Sequence, residues 1–125
     1  MDTDAIRQRF EHEFAPVADK FVVYDRPLAE AESLQDDHVW KPGVYVWWRP
    51  SKVLKVGRNL TNARKRAFEH IRDNTGGIMS ELRNDDSARL LLFNVRDPKD
   101  KHWVAALEIF FEEQLDPEVK SKRLG

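Results

Sequence analysis

Glu108 is the carboxylate whose surroundings say most about chemistry. Between residues 102 and 115, Val104, Leu107, Phe111 and Leu115 recur at steps of three and four, the period of a helix with one apolar stripe. Glu108 falls inside that stripe, one turn after Val104. A lone buried carboxylate is costly unless a cation neutralises it. A basic side chain in an ion pair would do so. So would a divalent metal such as Mg2+ or Mn2+, which uses one or two carboxylates together with water and phosphate oxygens. A second cluster is cationic. If Thr61 or Asn62 caps a helix running to about Arg72, then Arg64, Lys65 and Arg66 stand in its first turn, where the macrodipole is already positive and acidic residues are favoured. An anion held at the helix start would account for this placement; a solvated basic face is the other reading.

The elements that must position these groups follow from periodicity. Val44–Trp48 and Lys52–Val56 are rich in β-branched and aromatic residues and flank Arg49-Pro50-Ser51, which predicts a hairpin. Its register decides which way Lys55 points. A loop pairing Arg49 with Val53 puts Tyr45, Trp47 and Lys55 on one face; pairing Arg49 with Lys52 turns Lys55 to the other. In the helix that follows, Asn62, Arg66 and His70 form one ridge and Ala63, Ala67 and Ile71 a buried row beside it. Residues 77–84 predict a short helix, 88–95 a buried third strand, and 102–115 a last helix stopped by Pro117. Near the start, Ile6, Phe10 and Phe14 predict an amphipathic helix ended by Pro16, followed by a strand-like run at Phe21–Tyr24 and a short helix within 27–37.

At 125 residues with 41% hydrophobic composition, the chain is one domain with a core of its own. Without cysteine, disulfides, thiolate metal sites and a cysteine nucleophile are excluded. No apolar run is long enough to span a bilayer and the start is not signal-like, so a cytoplasmic protein is expected. The net charge of −1 is unlike that of most nucleic-acid binders, but its distribution is uneven. Residues 41–72 carry nine Lys/Arg against Glu69 alone, a balance of +8, and the remainder carries −9. A cationic face on an acidic body suits a polyanion approaching one side.

In order and spacing, Gly43-Val44-Tyr45, Lys55-Val56-Gly57 and the basic helix after them resemble the two-motif core of the GIY-YIG nuclease superfamily, and Ala106–Pro117 resembles the helix carrying that family's metal-binding glutamate. The resemblance covers residues 40–117. It implies that Tyr45 lies beside the scissile phosphate and activates or orients the attacking water. It implies that Arg66, after one inserted residue, holds phosphate oxygens, and that Glu108 is the single metal ligand, with Pro117 at a similar interval. His70 is similar to a histidine of part of the family and would orient a tyrosine or help a proton transfer, unless it is an exposed spectator. Two departures stand beside the matches. Lys55 replaces the second motif's tyrosine, and Glu118-Val119-Lys120 stands where an asparagine commonly follows the late proline. Lys55 can contact phosphate as a point charge or, with a lowered pKa, act as a base.

The expected fold is therefore α+β: a small three-stranded, mainly antiparallel sheet flanked by helices over residues 39–118, with residues 1–38 as a helical extension packed on the core and 119–125 as a polar, frayed tail. The expected function is a Mg2+- or Mn2+-dependent endonuclease acting on DNA, with Tyr45, Lys55, Arg66, His70 and Glu108 catalytic and Arg58, Asn62, Arg64 and Lys65 binding nucleic acid. One alternative is a catalytically impaired nucleic-acid-binding module that kept the fold. Another is a protein-interaction domain using the acidic body. A homodimer or a protein partner would let so small a module reach two strands. Trp40, Trp47, Trp48 and Trp103 are core or edge-packing residues on one reading and base-stacking residues on another.

Overall fold

Asp2 opens the first helix, its carboxylate accepting from the Ala5 amide at 2.9 Å, in the computed structural model, which describes residues 2–50 and 52–121. That helix, α1 (Thr3–Glu13), buries Ile6 and Phe10. Pro16 does end it, within a 3-10 turn at Ala15–Lys20. The chain continues as β1 (Phe21–Pro27), α2 (Leu28–Ser33), β2 (Gly43–Arg49), β3 (Lys52–Asn59), α3 (Ala63–Arg72), β4 (Arg89–Val95) and α4 (Lys101–Leu115), with short 3-10 turns between. No helix among the described residues is long and apolar enough to cross a membrane.

The sheet has four antiparallel strands in the order β1-β4-β2-β3, not the three expected. The fourth is β1, so the first 38 residues supply a strand of the central sheet rather than only a helical cover. It pairs along its whole length with β4, from Phe21 opposite Val95 to Pro27 opposite Arg89. Of its seven side chains only Phe21 and Tyr24 are buried. An edge strand of that kind shows little alternation, and its partner lies some 70 residues away in sequence.

Side chains alternate between the two faces of the sheet and build two cores. On one face Tyr45, Trp47, Leu90 and Leu92 pack with Ala63, Ala67 and Ile71 of α3 and Ala31 of α2. On the other, Val44, Val46, Val56, Leu91 and Phe93 pack with Ile6 and Phe10 of α1 and Val104, Leu107 and Phe111 of α4. Full burial of each of the large apolar side chains contributes about 2 kcal/mol.

The hairpin follows neither expected register alone. Arg49 does pair with Lys52, the register that would send Lys55 to the wrong face, but a β-bulge then shifts the ladder between Trp47 and Trp48. Trp48 faces Val53 and Trp47 faces Lys55, with Leu54 as the extra residue. Tyr45, Trp47 and Lys55 therefore share a face after all. Ser51, the last residue of the predicted turn, lies outside the described residues.

The segment after α4 also departs from expectation. Val119 is buried and forms a parallel bridge with Lys55, and the amides of Glu118 and Val119 donate to the carbonyl oxygens of Val53 and Leu54 at 3.1 and 2.7 Å. The start of the expected tail is thus a short addition to the sheet at the β3 edge; residues 122–125 lie outside the described residues. A single valine between charged neighbours carries no periodic signal, and only the exposed amides and carbonyls of an edge strand explain why it docks there.

Candidate active site

Along β3, beside the Val119 bridge, lies a cleft of about 800 Å3. Tyr45, Lys55, Arg66, His70 and Glu108 all line it. They come from β2, β3, α3 and α4, so the five predicted catalytic positions meet in one place. Four are buried: Tyr45, Lys55, His70 and Glu108 are 1, 6, 7 and 4% exposed. Arg66 stays half-buried, paired with Glu69 one turn on at 3.2 Å.

The Tyr45 phenol lies against the backbone of its cross-strand neighbour, Gly57. A Cβ there would stand 2.2 Å from the phenol oxygen, so no larger residue fits while the ring keeps its place. The phenol oxygen is 2.7 Å from Nε2 of His70, and His70 Nδ1 is 2.7 Å from the Thr75 hydroxyl. Burial, then the charges of Lys55 and Arg66, push the His70 pKa down to about 4, against smaller opposing effects of Asp73 and Glu69. The imidazole is therefore neutral at neutral pH. It serves as an orienting hydrogen-bond partner of Tyr45 and not as an exposed spectator.

Thr75 was not legible in the sequence. It belongs to the loop after α3, where Gly76 adopts φ +73° and a Cβ would meet the Val119 methyls at 2.8 Å. The close approach of this loop to Val119 brings the threonine hydroxyl to the histidine.

Glu108 reaches the cleft from α4, on the other side of the sheet. Its Oε1 is 3.1 Å from the Arg58 guanidinium. Arg58 follows Gly57 and alternation points it to the α4 face, so it meets the carboxylate rather than standing beside Arg66 as a second clamp. Of the two sequence readings for Glu108, the ion pair is present. Among the described residues no three His, Asp or Glu side chains gather into a metal site. One carboxylate with water and phosphate oxygens is a donor set that Mg2+ accepts.

The other basic residues of α3 lie elsewhere. Asn62 is the N-cap, accepting from the Lys65 amide at 3.0 Å, and Asn59 supports the turn by accepting from the amides of Thr61 and Asn62. Arg64 crosses to the C-terminal end of α2, donating to the carbonyl oxygens of Leu34, Glu32 and Ala31 at 2.5, 3.3 and 3.4 Å, and stacks 4.4 Å from the Trp40 ring. Burial lowers its pKa. Orphan carbonyls at a helix C-terminus attract a cation, which accounts for this arginine without a bound anion. Asn62, Arg64 and exposed Lys65 line a separate groove of about 480 Å3 with Trp40, Phe68 and Arg72. Trp47 is a core residue, its indole N–H donating to the Ala67 carbonyl at 3.0 Å, whereas Trp40 is 46% exposed.

No family model, curated protein or solved structure matches this chain.

Proposed function

We propose that this protein is a divalent-metal-dependent endonuclease of the GIY-YIG type that hydrolyses DNA phosphodiester bonds. The observation that carries the reading is the meeting of Tyr45, Lys55, Arg66, His70 and Glu108, contributed by four elements, in one polar cleft. Tyr45, held by neutral His70, positions the attacking water through its phenol oxygen. Lys55 offers a buried point charge to a phosphate oxygen, in place of the phenol that the resemblance leads one to expect. The Arg66 guanidinium holds phosphate oxygens and opposes the charge that builds on them in the transition state, exchanging its half-exposed pair with Glu69 for a stronger one. Glu108 would hold the metal, which supplies positive charge to the departing oxygen.

A binding module without turnover is the second reading, favoured by the contact between Glu108 and Arg58 at 3.1 Å, which already neutralises the carboxylate without a metal. Plasmid nicking with Mg2+ or Mn2+ separates the two. On the nuclease reading, wild type nicks only with metal, and Glu108→Ala, Tyr45→Phe and Arg66→Ala each slow it about 100-fold or more. Wild type that retains DNA at low salt yet never nicks would leave the binding module standing.

A further inference from the structure

We propose that Thr75 is a positioning residue that fixes the tautomer of His70: its hydroxyl oxygen accepts from Nδ1–H, leaving Nε2 to accept the phenol proton of Tyr45. The contacts on both ring nitrogens are 2.7 Å, so each is a full hydrogen bond, and a neutral imidazole has one N–H to share between them. Two arrangements satisfy this geometry. In one, the threonine hydroxyl donates to Nδ1, Nε2–H donates to the phenol oxygen, and the phenol proton is turned into the cleft. In the other, Nδ1–H donates to Thr75 and the phenol proton points at Nε2.

The charges of the cleft choose the second. Lys55 and Arg66 line the same cleft as Tyr45, and both are donors with no acceptor capacity. A phenol that turned its proton toward them would direct its positive end at two cations. With the proton on the imidazole side, its lone pairs face the cleft that Lys55 and Arg66 line. Tyr45 then acts as an acceptor for the attacking water and not as a donor to phosphate.

Thr75 is held in place to do this. Its loop packs through Gly76 on Val119, which is bridged to Lys55 of β3, so the hydroxyl is fixed relative to the sheet that carries Tyr45. Valine at 75 would keep the branched shape and lose the acceptor; serine would keep the acceptor.

The test reads the ring nitrogens directly. Long-range 1H–15N spectra of labelled protein at pH 7, without DNA or metal and with His70 assigned through His70→Gln, should show a protonated Nδ1 and an unprotonated Nε2. Thr75→Ser should keep that pattern and Thr75→Val should move protonation toward Nε2. A wild-type ring protonated at Nε2, or a Thr75→Val spectrum like that of wild type, would overturn the proposal. A second arm rests on the nuclease reading: nicking should slow about tenfold in Thr75→Val at unchanged thermal midpoint and recover in Thr75→Ser. An undiminished rate in Thr75→Val would refute the positioning role. Wild type that nicks nothing would overturn the nuclease reading alone, and the spectra would still decide the role of Thr75.

Discussion

On one side of β3, Tyr45, His70 and Thr75 form a chain of neutral groups joined by hydrogen bonds of 2.7 Å. On the other side, Arg58 and Glu108 face each other as ions 3.1 Å apart. Adjacent residues of one strand separate the two arrangements: Gly57 makes room for the phenol, and Arg58, pointing the opposite way, meets the carboxylate. The neutral side depends on shape and on keeping a proton off a buried ring. The ionic side depends on both charges being present, since removing one member of a buried ion pair costs more than the pair returns. The two ends of the cleft should therefore fail under different perturbations.

The largest effect on stability is expected from Arg58→Met, which removes the guanidinium 3.1 Å from the buried Glu108 carboxylate. A loss of about 3 kcal/mol in urea unfolding is expected. Glu108→Gln should cost clearly less, because Arg58 keeps about a quarter of its side chain in solvent. Equal losses in the two variants would break the asymmetry. Gly57→Ala is the matching insult to the neutral side. Its methyl collides with the phenol, and about 2 kcal/mol should be lost as Tyr45 is displaced from His70. An unchanged thermal midpoint with the Tyr45 and His70 resonances unmoved would contradict the packing described.

Acid should act on the neutral side in particular. The His70 pKa falls from 6.5 to about 4 on folding, so the unfolded chain takes up the proton first as pH drops. The stability linked to this ring is present above about pH 6.5 and is lost as pH falls toward 4. Wild type should lose about 2 kcal/mol more than His70→Gln between pH 7 and pH 5. Parallel losses in the two proteins would remove His70 from the account. The smallest change is expected from Arg66→Met, whose half-exposed pair with Glu69 is worth less than about 1 kcal/mol. A small effect on folding beside a large effect on nicking would separate the role of Arg66 from that of Arg58.

What the sequence disclosed was local. The hairpin, the cap at Asn62, the buried alanine row of α3 and the carboxylate within the α4 stripe each follow from spacing over one or two turns. Those segments bring the five cleft residues together. Long-range pairing was not legible: β1 joins β4 across the chain, and Val119 docks on β3, because open strand edges pair with the backbone of a segment of almost any sequence. Arg64 misled for a related reason. Its charge looked misplaced on its own helix because the carbonyls it serves belong to α2. Thr75 was hidden because a hydroxyl in a glycine-containing loop reads as turn chemistry.

The bulge at Leu54 has a consequence for how freely this hairpin can vary. Pairs on the cleft side of it run from Gly43–Trp47 against Lys55–Asn59, whereas on the turn side only Trp48 with Val53 and Arg49 with Lys52 remain. The irregularity insulates the phase of one stretch from the length of the other. Insertions or deletions at the tip would be absorbed by two pairs, and the lysine would keep its heading. The tip is thus a place where sequence drift or a grafted peptide can alter the outline of the molecule without rewriting its chemistry.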